Sequence, residues 1–158
     1  MKARLIEYNF ERNIDPKKSM KMGMKEEVKE FMRSINKDEF LDNDHALIFA
    51  SKYNRLDLVK WLIDPNGGDA NKYANNDGPI RCAASYGNEE VAEYLLQFYR
   101  SKEILGIIQY CKHLQQRSKE KLKDATNRPD RISTMKQYIR WRKAAQLIEK
   151  LFKEKISK

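Results

Sequence analysis

Few side chains in this chain could do chemistry, and their spacing decides what they could do. There are two histidines, His45 and His113, and neither stands in a metal-ligand spacing with the two cysteines, Cys82 and Cys111. The one adjacent glycine pair, Gly67-Gly68, is not followed by the Gly-Lys-Ser or Gly-Lys-Thr ending that cradles phosphate. The carboxylate pairs Glu26-Glu27 and Glu89-Glu90 fall on expected exposed helical turns. No nucleophile, base and orienting group can be named together. The expectation is a chain that is not an enzyme, with no catalytic residues, no metal and no cofactor. His45 is expected to serve a helix cap rather than a reaction.

The elements that carry these residues are expected to be helices. A chain of 158 residues with 35% charged side chains, 41% hydrophobic ones and only 6 Gly and 4 Pro lacks the turn residues of a sandwich or barrel. Its length allows burial of about 70% of the unfolded surface, so a core is expected. No run approaches the 18 apolar residues of a membrane span, and Met1–Phe10 has no apolar stretch of the secretory kind. These absences point to an intracellular protein, in cytoplasm or nucleus, with its cysteines as free thiols. The net charge of +9 is uneven. Residues 1–98 hold 15 Lys+Arg against 17 Asp+Glu, a net of −2, while residues 99–158 hold 17 against 6, a net of +11.

The middle of the chain repeats itself. Asp44-His45-Ala46-Leu47 returns as Asp77-Gly78-Pro79-Ile80, and Ala50-Ser51-Lys52-Tyr53-Asn54 as Ala83-Ala84-Ser85-Tyr86-Gly87, at an ungapped offset of 33 residues. The register continues through Leu58/Val91, Val59/Ala92 and Leu62-Ile63/Leu95-Leu96. Each unit reads as helix, turn, helix. Pro79 suits a first helical turn, Ala50 and Ala83 permit close helix approach, and Asn54 and Gly87 tolerate the left-handed conformation that ends a helix. The later apolar pairs give a second helix one buried face, and Asn66-Gly67-Gly68-Asp69 supplies the turn to the next unit.

Residues 42–96 resemble two ankyrin repeats. The likeness is clearest at Gly78-Pro79-Ile80-Arg81-Cys82-Ala83-Ala84-Ser85-Tyr86-Gly87 and at the connecting Gly68-Asp69-Ala70-Asn71. The departures are Ile48 and Arg81 at the family's histidine position, His45 and Gly78 at its threonine position, and a longer turn at Asp64-Pro65-Asn66. The resemblance implies an all-α, short solenoid that binds another protein through its first helices and the turns before them. Carried onto this sequence, that surface is Asp42, Asp44, Lys52 and Tyr53 in one unit and Asn75, Asp77, Ser85 and Tyr86 in the next. Tyr53 and Tyr86 are expected side by side, about 8 to 10 Å apart. The Lys- and Asn-rich text also resembles the ankyrin proteins of large DNA viruses, which would place the protein in a host cell.

Two repeats need caps, because each buries its face against a neighbour. Upstream, residues 1–41 are expected to form a degenerate repeat or cap, with a first helix over Pro16–Met22 ending at Gly23 and a second over Lys25–Met32. Residues 42–99 hold the two repeats. Residues 100–158 are expected to form a basic helical hairpin that caps the solenoid. One stripe is Ile104, Ile107, Ile108, Cys111 and Leu114, the other Tyr138, Trp141, Ala145, Ile148, Phe152 and Ile156, and Asp124–Asp130 breaks between them.

The hairpin's polar face includes Lys136, Arg140, Arg142 and Lys143. Two readings stand for it: a solvated outer face, or an anion-binding surface that makes the chain a nucleic-acid-associated protein. The leading expectation is a protein–protein adaptor or scaffold, with nucleic acid bound through residues 100–158 as the alternative and no membrane partner.

Overall fold

Alternating small and branched apolar residues at 3 to 4 residue spacing make helices throughout. The computed structural model describes residues 16–35 and 42–158, and every regular element in them is an α-helix. In order they are α1 (Pro16–Ile35), α2 (Asn43–Lys52), α3 (Leu56–Ile63), α4 (Ala74–Ser85), α5 (Glu89–Leu96), α6 (Ser101–Asp124) and α7 (Arg128–Ile156). The all-α fold expected from composition is the fold observed.

Helix α1 departs from expectation. It passes straight through Gly23 instead of breaking there into two helices. A mid-helix glycine costs about 1 kcal/mol relative to alanine, and the helix-forming Lys, Met and Glu around it outweigh that. Val28 and Met32, four residues apart and fully buried, set one face of α1 against α2 and α3. The rest of the expected 1–41 unit lies outside the described residues.

The two repeats share their helix ends and buried positions as well as their text. Asp42 caps α2, its Oδ1 accepting the His45 N–H at 2.8 Å. The chain leaves α2 through Asn54 at φ 58° and leaves α4 through Gly87 at φ 75°. There the N–H of Arg55 reaches the Ala50 carbonyl and that of Asn88 the Ala83 carbonyl, both at 2.9 Å. Ala50 and Ala83, Leu58 and Val91, Val59 and Ala92, and Leu62 and Leu95 are all wholly buried. Polar clamps tie the units together: the Asn88 amide donates to the Ser51 and Lys52 carbonyls at 2.7 and 2.8 Å, and the Asn71 N–H donates to Asp44 at 2.6 Å.

The α3–α4 turn has no room for a side chain at its glycines. A methyl group on Gly67 would lie 2.3 Å from the Trp61 carbonyl oxygen. That oxygen is held by the Gly68 N–H at 3.0 Å and cannot swing aside. Gly67→Ala is therefore expected to lower stability by about 1 to 3 kcal/mol in urea melts, the cost of overpacking. An unchanged midpoint would mean that the turn relaxes freely.

Helices α6 and α7 form the expected antiparallel hairpin. Ile104, Ile107, Ile108 and Cys111 of α6 and Ala144, Ala145, Ile148 and Leu151 of α7 are buried within the continuous core. Asn127 caps α7 by accepting the Asp130 N–H at 2.9 Å. Of the residues expected in the stripes, Ile156 is 63% exposed, since it lies in the final turn beyond the last neighbour. Ala144 and Leu151 are buried in its stead.

The hairpin does more than cover an end. Helix α7 packs on α4 as α4 packs on α2, with lighter contact to α5. The small pair Ala144-Ala145 is buried in α7 as the small pair Ala83-Ala84 is in α4. In this respect α7 meets α4 as the first helix of a following repeat would, without that repeat's sequence.

Candidate functional site

The inner face is built from the C-terminal ends of α2 and α4. Both helices end on a tyrosine, Tyr53 and Tyr86, just before the left-handed turn residue. Those two residues are 48% and 39% exposed. Between them lies Lys52, its Nζ 5.2 Å from the Tyr53 ring centre and 5.3 Å from that of Tyr86. The Arg140 guanidinium of α7 also lies over Tyr86, 4.9 Å from the ring centre. Tyr53 is also supported edge-on by Phe31 of α1 at 6.1 Å. The result is a row, Tyr53, Lys52, Tyr86, Arg140, in which cations and aromatic faces alternate and stabilise one another.

The turn residues hold the scaffold. Asp42 pairs with the His45 ring at 2.8 Å, and the His45 backbone N–H followed by that ring holds the Asp42 carboxyl below its ordinary range. Asp44 is engaged by Asn71. Asn75, Asn76 and Asp77 are three consecutive left-handed residues, at φ 51°, 52° and 60°, a conformation that Asn and Asp tolerate better than other side chains. The carbonyls of Asn75 and Asn76 accept from Arg81 at 2.6 and 2.7 Å, and Asp77 accepts from the Tyr99 hydroxyl at 3.0 Å. Burial first, and then the Asp77 charge, push the Tyr99 phenol upward, so it remains a neutral donor.

Of the eight residues expected on the partner face, the structure brings Lys52, Tyr53 and Tyr86 together. It separates them from Asp42, Asp44, Asn75 and Asp77, which cap and brace the turns. Ser85 does not belong to the surface at all: it is 7% exposed and its hydroxyl donates to the Cys82 carbonyl at 3.1 Å. Its counterpart Lys52 escapes burial along four methylenes, a reach that serine lacks.

The four basic residues of α7 also divide. Lys136, Arg140 and Lys143 share one face at i, i+4 and i+7, while Arg142 is turned away. Arg140 alone joins the tyrosine row. Sequence reading passed over Arg81 except as a departure from the family pattern. Its guanidinium reaches back to the left-handed turn and lies 4.9 Å from the Tyr110 ring centre and 5.7 Å from that of Trp141, tying α4 to both hairpin helices.

Burial raises both thiols, Cys111 to about 11, so neither is a ready nucleophile at neutral pH. Among the described residues no group of three or more His, Cys, Asp or Glu is placed to hold a metal ion. Among them, too, no helix is long and apolar enough to cross a membrane.

Paired antiparallel helices stacked at a 33-residue period, with an inner row of exposed aromatic and basic side chains, define a helical-repeat solenoid. Residues 18–104 match the family model for ankyrin repeats, in three copies. The chain belongs to the ankyrin-repeat family, whose repeats generally mediate protein–protein interaction and form a binding rather than a catalytic fold. No curated protein and no solved structure matches the chain.

Proposed function

We propose that the protein is a non-enzymatic adaptor that binds another protein through the row Tyr53, Lys52, Tyr86 and Arg140. The observation that carries this reading is the exposure of both tyrosines at equivalent repeat positions, with Lys52 over both rings. Tyrosine and arginine are the residue types that anchor interfaces, because they bring large area at low rotamer cost. The adaptor works inside a cell, where its free thiols stay reduced, and in a host cell if its origin is viral.

The test is pull-down from the source cell with nuclease present, followed by titration of the captured partner. Tyr53→Ala and Tyr86→Ala should each weaken binding by about 1 to 3 kcal/mol, as anchor residues do, with smaller changes in stability. Normal binding with a collapsed melting midpoint would show that the rings serve the fold instead. Nucleic-acid binding through residues 100–158 has less support. Trp141 is packed against the core, Tyr138 is half-buried and Arg140 is stacked on Tyr86, so few groups are left to stack on bases. Steep weakening of binding with salt would favour that alternative.

A further inference from the structure

The hairpin continues past the part that is built into the core. Helix α7 has 29 residues, about 43 Å at 1.5 Å per residue. No residue from Lys119 to Ile139 is buried. Yet this outer portion is not uniformly polar. Ile132, Met135 and Ile139 are 47%, 42% and 43% exposed, and their i, i+3, i+7 spacing makes one stripe. Nine residues separate Ile139 from the buried Ile148, so the stripe lies on the opposite side of the helix from the core face.

At the hairpin's turn Ile132 and Met135 join Leu122 of α6 in a groove of about 600 Å³, rimmed by Arg128, Arg131 and Lys136. Among the described residues no carboxylate lies within ion-pairing distance of these three cations. Solvated polar helix faces do not need three large aliphatic residues in register, and exposing them together is a cost that binding would remove.

We propose that the hairpin tip is a second docking site, which takes an acidic amphipathic helix of a partner protein. Its apolar side chains enter the groove of Leu122, Ile132 and Met135, and its carboxylates meet Arg128, Arg131 and Lys136. Charge selects this occupant. A second copy of the chain would bring another +11 segment against the first. Nucleic acid would satisfy the cations but not the aliphatic stripe, since Ile and Met offer no π-face for a base. An acidic amphipathic helix satisfies both, in the helix-in-groove manner.

The test uses the full chain and a display library of random 20-residue peptides, depleted on the Ile132→Ser/Met135→Ser variant before selection on the parent. Expected survivors carry Asp and Glu together with apolar residues at i, i+3 or i+4, and i+7. In fluorescence anisotropy such a peptide should bind at least tenfold more weakly to Ile132→Ser/Met135→Ser and to Arg128→Glu/Arg131→Glu, and equally well to Tyr86→Ala. All four substituted side chains at the tip are exposed, so thermal melts should match the parent's. The proposal is overturned if no surviving peptide depends on Ile132 and Met135. It is equally overturned if a 20-nucleotide RNA or DNA, or vesicles with 30% phosphatidylserine, binds the tip more tightly than the selected peptides. The inner-face adaptor reading stands or falls separately, because none of the four tip substitutions changes one of its residues and the one inner-face variant, Tyr86→Ala, serves only as the control.

Discussion

A chain ending at Arg100 is expected to lose its cooperative unfolding transition and to aggregate. The apolar faces of α4 and α5 that α7 covers would then meet water, since nothing else packs on them as α7 does. Wholly buried aliphatic side chains such as Ile80 and Leu95 bring about 1.5 to 3 kcal/mol each. Exposing even three or four of them consumes most of the roughly 5 to 15 kcal/mol that holds a domain folded. The cut also removes a partner from the end of α5 and the turn after it: Lys155 Nζ donates to the carbonyls of Leu96 and Tyr99, each at 3.0 Å. Circular dichroism melts and size-exclusion chromatography check this result. A monomeric fragment with a sharp transition would show instead that α1 to α5 are self-sufficient and that the hairpin is an appendage. The distinction bears on function, because a hairpin needed for folding cannot be regulated by detachment.

How much of this was legible in the sequence follows from which interactions are local. The 33-residue offset named Ala50, Ala83, Leu58, Val91 and Leu95 as core, and each is wholly buried, because repeat packing recurs wherever the text recurs. Asn54 and Gly87 were readable as left-handed turn residues for the same reason. What the text hid was non-local. Nothing in the composition of α7 says that Arg140 will stack on Tyr86, 54 positions upstream, or that Ala144 will stand in for a repeat alanine. Within the second repeat, Asn75 and Asn76 join Asp77 in a left-handed turn whose carbonyls Arg81 holds, an interaction for which the family pattern has no counterpart. Gly23 misled in the opposite direction: it reads as a stop signal, but the helix formers around it carry the helix through, and Val28 and Met32 seat it on α2 and α3. The candidate site was half read. The paired tyrosines were found by register, whereas the burial of Ser85 needed the assembled stack.

The substitution pair Ile80→Ala and Ile148→Ala should lower one and the same transition. Both side chains are wholly buried, one in α4 and one in α7, and those helices pack on each other. Each deletion removes transfer free energy and leaves a cavity, costing about 2 to 5 kcal/mol. For a chain of this size that corresponds to roughly 2 to 4 °C of melting temperature per kcal/mol. If α7 meets α4 as the first helix of a following repeat would, repeats and hairpin unfold as one unit, and both variants should show a single shifted transition in calorimetry. A hairpin that folds independently would behave differently. Ile148→Ala would then split the melt in two, with the repeats' transition left at its parental temperature, and Ile80→Ala would leave the hairpin's untouched. Cooperativity has a consequence for the surfaces as well. The tyrosine row ends on Arg140, so the spacing between Tyr86 and its outer cation is fixed only while α7 is seated on α4. Loosening at Ile148 should therefore weaken partner binding at Tyr86 more than at Tyr53, whose supports, Phe31 and Lys52, come from α1 and α2.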